Sequence, residues 1–177
     1  MTDITFGTPV IHSAADVRPK DGPAFDLIEL LFFAYRDFVG DADEILTKFG
    51  FGRAHHRVLH FINRNPGMKV AELLDILKIT KQSLGRVLKQ LVDEGYVEQK
   101  EGASDRRQRL LYVTVKGEAL ALRLAALQTA RIGRALAELG AADRDTARRF
   151  LIAMLDPDQR DDVLHLIDGA NRTRRQP

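Results

Sequence analysis

From Phe25 to Val39 the chain reads FDLIELLFFAYRDFV, apolar nearly all the way round a helix and interrupted only by Asp26, Glu29, Arg36 and Asp37. A helix at the edge of a small monomer keeps one face polar, so this pattern predicts burial on several sides. A second helical pattern, rich in Ala and Leu, runs from Val115 to Leu139, with Thr114 placed to cap it. A third covers Asp143 to Leu155 and stops at Asp156-Pro157, where Pro157 opens a last helix through Ile167. One small core cannot absorb so many helices, and the pattern predicts terminal helices that interlock with those of a second subunit. The first 22 residues and the tail from Asn171 lack periodicity and are expected to be poorly ordered.

The middle of the chain has a finer grain. Arg53 to Asn65 is helical by pattern, anchored by Val58, Leu59, Phe61 and Ile62 and ended by Pro66-Gly67. A short helix follows from Val70 to Leu77, then Ile79 as the apolar turn residue, and Thr80 as the cap of KQSLGRVLKQLVDEG. At about 100° per residue from Lys81, Leu84, Val87, Leu88 and Leu91 fall between about 240° and 340°. Lys81, Gln82, Gly85, Arg86 and Lys89 fall between about 0° and 140°. One face is aliphatic. The other carries hydrogen-bonding groups and one glycine, with the acids Asp93 and Glu94 held to the far end. A major groove asks for that chemistry: Arg and Lys for guanine edges and phosphates, Gln for adenine. A short helix, a tight turn and such a helix predict a helix-turn-helix. Tyr96 to Lys100 and Arg109 to Val113 are short strands joined by EGASDRRQ, so a hairpin with a basic tip follows directly as a wing.

Charge sharpens this picture once it is split. The 177 residues carry a net +2, but Gly52 to Lys116 holds 13 Lys/Arg against 7 Asp/Glu, a local +6 that leaves −4 for the rest. A basic middle between acidic ends suits a polyanion-facing lobe.

In this order and spacing the motifs resemble the MarR family of bacterial transcription regulators, over about Phe25 to Leu155. The most specific element is Asp-x-Arg in the wing, here Asp105-Arg106-Arg107. Thr80 to Ser83 at the start of the recognition helix, Glu94-Gly95-Tyr96 at its end, and Val113 to Gly117 leading into the next helix also fit. The resemblance implies homodimers with interlocked terminal helices, each subunit placing one recognition helix in a major groove of a pseudo-palindrome. Carried over, Arg107 reaches the adjacent minor groove, Asp105 braces the wing and Arg106 touches phosphate. The DNA-binding set is then Lys69, Thr80, Lys81, Gln82, Ser83, Arg86, Lys89, Asp105, Arg106 and Arg107. Family members often bind small aromatic or anionic effectors in a crevice between lobes, for which Tyr35, Arg36, His55 and His56 are candidates. Two positions depart from the family pattern. Lys78 stands where a turn glycine is common, and Lys69 replaces a Ser/Thr cap, forfeiting the cap but offering a phosphate contact.

The expected fold is mainly α with a small β-hairpin wing: a winged helix-turn-helix lobe plus a helical dimerisation lobe. The expected layout is an arm over 1–22, a dimerisation helix region over 23–51, the DNA-binding lobe over 52–114, C-terminal dimerisation helices over 115–170 and a tail over 171–177. The chain contains no cysteine, no secretory signal pattern and no apolar run of the roughly 20 residues that span a bilayer, so a cytoplasmic, cofactor-free regulator is expected. Two rival readings exist. His55, His56 and His60 share one helix, with His56 and His60 spaced for metal chelation, which would suit a metal-binding protein or enzyme. No cysteine or carboxylate lies nearby in sequence to complete that set, and no Gly-rich phosphate loop or nucleophile elbow accompanies it. A non-specific architectural nucleic-acid binder would use the same basic lobe without reading sequence.

Overall fold

The computed structural model describes residues 22–102, 108–140 and 143–173. Along these the elements are α1 (Phe25–Thr47), α2 (Arg53–Arg64), β1 (Met68–Lys69), α3 (Val70–Leu77), α4 (Lys81–Asp93), β2 (Val97–Glu101), β3 (Arg109–Val113), α5 (Val115–Leu139), α6 (Asp143–Ala153) and α7 (Pro157–Thr173). The chain divides into two units, residues 1–36 and 37–177.

In the first unit the described residues form the opening turns of α1. Phe25, Leu27, Ile28, Leu30, Leu31, Phe32, Phe33 and Tyr35 are all exposed there, Leu30 by 62%. The burial expected from the sequence is therefore not supplied by the described residues of one chain. Exposed apolar surface on this scale marks a binding face.

The second unit holds the core. Val58, Leu59 and Ile62 of α2, Leu73 and Leu77 of α3, and Leu84, Val87, Leu88 and Leu91 of α4 pack together with Leu111 of β3. Ala42, Ile45 and Leu46 on the later turns of α1, Phe51, and Leu120, Ala121 and Leu124 of α5 close the same cluster. The antiparallel sheet has the order β1-β3-β2, with Met68 opposite Leu111 and Val97 opposite Val113. Gly67, at φ 84°, donates its N–H to the Leu111 carbonyl at 2.8 Å and turns the chain onto the sheet.

Several boundaries move. The first helix continues eight residues past Val39 to Thr47, because Ala42, Ile45 and Leu46 keep the apolar period. The strand β1 was not foreseen: two residues carry no alternation, and only pairing with β3 defines them. Tyr96 lies before β2, its N–H bonded to the Leu91 carbonyl at 2.8 Å, so it closes the end of α4. The α6 helix stops at Ala153 instead of Leu155. The tail from Asn171 was expected to be unstructured, yet α7 runs to Thr173. Ala170 is buried, and Arg64 donates to the Asn171 side chain at 2.6 Å, which ties this end to α2. Of the expected arm, only Gly22 is among the described residues, and 174–177 of the tail lie outside them.

The junction from α4 to α5 is tightly made. Thr114 accepts from Gly117 N–H at 3.1 Å, as a cap should, and donates to the Gly95 carbonyl at 2.7 Å. Gly117 is there for space: a Cβ on it would come within 1.9 Å of the Tyr96 carbonyl oxygen. Lys116 adds a bond to the Glu94 carbonyl at 2.9 Å and lies over the Tyr96 ring at 4.0 Å.

Candidate nucleic-acid interface

The helix-turn-helix is α3, a turn and α4. Lys78 makes the turn in the left-handed conformation, φ 50° and ψ 42°, with its N–H on the Leu74 carbonyl. This is the residue that stands in place of the turn glycine. Lys69 precedes α3 with its side chain exposed; its N–H is satisfied instead by the Glu72 carboxylate at 2.7 Å, half of a capping box. Thr80 caps α4, accepting from Ser83 N–H at 3.1 Å and donating to the Ser83 hydroxyl at 2.9 Å.

The amphipathic division of α4 is realised. Leu84, Val87, Leu88 and Leu91 are buried, while Lys81, Gln82, Arg86 and Lys89 are exposed and Ser83 is half-buried. Lys89 is ion-paired to Asp93 one turn on, so the acid expected to stand clear of the basic face neutralises part of it. Lys81 and Lys89 line one groove together with Gln99 of β2 and Val70 of α3.

On the hairpin, the Gly102 N–H meets the Gln108 carbonyl at 3.0 Å and Arg109 pairs with Glu101 at 3.2 Å. Lys100 pairs with Glu98 at 2.7 Å and lies 4.9 Å from the Tyr112 ring centroid. The hydrogen bond that Lys100 donates to Glu98, and then the Glu98 charge, raise the Lys100 pKa. Lys100 and Arg109 are wing cations that sequence reasoning did not single out, although both flank the basic tip. Asp105, Arg106 and Arg107 lie outside the described residues.

The histidines turn out to have internal partners. His55 Nδ1 accepts from Gly52 N–H at 3.1 Å, its Nε2 meets Gln90 Oε1 at 2.9 Å, and its ring stacks on Phe51 at 4.8 Å. Gln90 also donates to Glu94 at 2.9 Å, so α2 and the recognition helix are joined through one amide. No spacing rule could pair residues 35 apart, and this link was not legible in the sequence. His56 is buried; desolvation lowers its pKa from the ordinary 6.5, and the negative charge of Asp43 offsets part of the shift. Among the described residues no group of three or more metal-ligating side chains exists, which leaves the metal-site reading of His55, His56 and His60 without support. In the first unit, Tyr35 lines a shallow apolar groove with Ile28, Leu31 and Phe32, and the Arg36 guanidinium lies over Phe33 at 4.8 Å. No described helix is long and apolar enough to cross a membrane.

Comparison with known proteins converges on one group. The model of the MarR family matches residues 49–108. The chain is 47% identical over 133 residues to the HTH-type transcriptional regulator PetP of Rhodobacter capsulatus, covering 75% of this chain and 80% of that protein. It is 33% identical over 93 residues to the HTH-type transcriptional repressor Rv2887 of Mycobacterium tuberculosis, across 52% of this chain and 67% of that one. The structure of Rv2887 with salicylic acid superposes with a TM-score of 0.54 at 29% identity, covering 77% of this chain and 98% of that one. Streptococcus pneumoniae FabT in complex with DNA superposes with a TM-score of 0.67, covering 75% of this chain and 94% of that one; at 16% identity this likeness is one of fold alone.

Proposed function

The chain belongs to the MarR family, and from that premise we propose a sequence-specific regulator of transcription, a repressor that binds a pseudo-palindromic operator in double-stranded DNA as a homodimer. The observation that carries this reading is α4: its aliphatic side is locked into the core, and Lys81, Gln82 and Arg86 stand exposed on the other. With a hairpin following directly, that is the arrangement by which a helix is presented to a major groove. Lys69, Thr80 and Ser83 at the helix starts and Lys89 further along would contact backbone, and Arg107, held by Asp105, the adjacent minor groove, with Arg106 on phosphate. We read the chain as a cytoplasmic non-enzyme because its ligand is duplex DNA and its named relatives are regulators.

Homodimerisation follows from the bare apolar turns of α1, which a second copy would cover through an isologous contact. In this layout 23–51 and 115–170 serve the dimer and 52–114 the DNA. The later turns of α1 serve the DNA-binding core as well, since Ala42, Ile45 and Leu46 belong to it.

Release by a small aromatic or anionic effector is supported by the relative crystallised with salicylic acid. Tyr35 and Arg36 offer an aromatic ring and a guanidinium for such a ligand. His55 would reach an anion only by giving up Gly52 or Gln90, and the loss of Gln90 would loosen the recognition helix. His56, the other histidine candidate, is buried and held towards its neutral form.

The test is footprinting of the DNA upstream of the gene, followed by fluorescence-anisotropy titration. A protected inverted repeat bound at least a hundredfold more tightly than a random duplex is expected. A ratio below about tenfold would favour the architectural binder instead.

A further inference from the structure

Gly85 lies in the middle of α4, one turn after Lys81 and one turn before Lys89, and is exposed. Its φ is not positive, and a Cβ built on it would meet nothing within 4 Å. Among the described residues, neither backbone conformation nor packing calls for a glycine there. Inside a helix, glycine weakens the element relative to alanine. A destabilising residue with no internal reason points to something outside the chain.

The space left by the missing side chain opens into a groove of about 520 Å³ between α4, Val70 at the start of α3 and Gln99 on β2. Leu88 and Val92 also line it, as do Lys81, Lys89 and the Asp93 carboxylate already paired to Lys89. We propose that Gly85 is a DNA-contact position, where the missing side chain lets a sugar–phosphate strand lie against α4 between Lys81 and Lys89. The inference rests on the DNA-binding reading above. With α4 in a major groove and the hairpin directed at the neighbouring minor groove, the strand dividing the two grooves passes between α4 and β2. This groove runs there, and the Lys81 ammonium, with that of Lys89 shared with Asp93, offers positive charge to a polyanion. Any side chain at 85 would hold the strand away from both lysines.

Gly85→Ala and Gly85→Met separate this from a structural role. Both should melt at or a few degrees above the wild type, since each is a better helix former. In anisotropy titrations, affinity should fall about threefold for Gly85→Ala and about thirtyfold for Gly85→Met. The loss should be the same on the footprinted operator and on a random duplex, because a strand contact carries no base information. Unchanged affinity for Gly85→Met would overturn the proposal. A loss confined to the operator would make Gly85 a base-reading position and overturn the strand assignment, and a lower melting temperature would reveal an internal role and overturn it as well. The wild-type titration reads the DNA-binding premise separately: no affinity for any duplex would strike that premise, whatever the variants do.

Discussion

Lys78 is held at φ 50° in the turn between α3 and α4, a conformation that costs a residue with a Cβ about 1–2 kcal/mol. Its N–H bond to Leu74 requires only backbone, so Lys78→Gly should keep the turn and remove the strain. Glycine's larger unfolded-state entropy returns part of that gain, which leaves about 0.5–1 kcal/mol of added stability. For a chain of this size that is a rise of about 1–4 °C in melting temperature. A thermal scan showing no rise would mean that the lysine stem has packing of its own. His56 makes the opposite kind of statement, one about pH. Burial depresses its pKa below 6.5 in the folded chain, and Asp43 opposes this only in part. On acidification the unfolded chain therefore takes up its proton first, and each such proton favours unfolding. The His56 contribution is intact above pH 6.5 and is lost as pH falls from there through the lowered folded value. Urea midpoints measured between pH 8 and about pH 5 should fall for the wild type and fall less for His56→Gln. Parallel declines would show that other groups carry the acid sensitivity.

Among the elements, α4 was the most legible in the sequence, because one period of 3.6 governs both its burial and its exposure. Leu84, Val87, Leu88 and Leu91 could only face inward together, and Thr80 could only cap. Where meaning depends on a distant partner, the sequence was silent. The two residues of β1 become a strand only beside Leu110 and Leu111, and Gln90 becomes a link only beside His55. The end of α7 was misjudged from its polar letters, although Ala170 and the Arg64–Asn171 bond hold it. The pairing of Lys89 with Asp93 also changes what α4 is expected to do. Arg86→Ala should cost about 1–3 kcal/mol on the operator and blur its specificity, since a guanidinium reads a guanine edge bidentately. Lys89 already shares its charge, so Lys89→Ala should weaken operator and random duplex alike, and by less than Arg86→Ala does on the operator. Anisotropy titration of both variants on both duplexes decides it, and equal losses throughout would contradict the assignment of Arg86 as a base reader.

At the scale of the whole molecule, two kinds of apolar residue have to be told apart. Those of α2, α3 and α4 are spent inside the second unit, and those on the first turns of α1 stay exposed among the described residues of one chain. A substitution at Leu30 therefore leaves the DNA-binding core untouched, because Leu30 is no part of it. Wild-type protein at micromolar concentration should scatter light as a species of about 40 kDa, twice the 19.9 kDa chain. Leu30→Asp, placing a carboxylate in the apolar contact, should shift that mass towards the single chain, because an unpaired buried charge is far costlier than the contact it replaces. The recognition helix would stay folded, so DNA binding would not vanish; it would lose the advantage of two tethered half-sites. That advantage is worth about 10²–10⁴ in affinity, and the variant should bind an operator and an isolated half-site with nearly the same strength. The measurement is a paired titration of both duplexes alongside light scattering. A wild-type chain that is monodisperse at its own mass and still binds the operator tightly would sink the dimer. A Leu30→Asp protein that remains at twice the chain mass would move the contact to other surfaces, such as those carrying the exposed Phe150, Leu151 and Ile167.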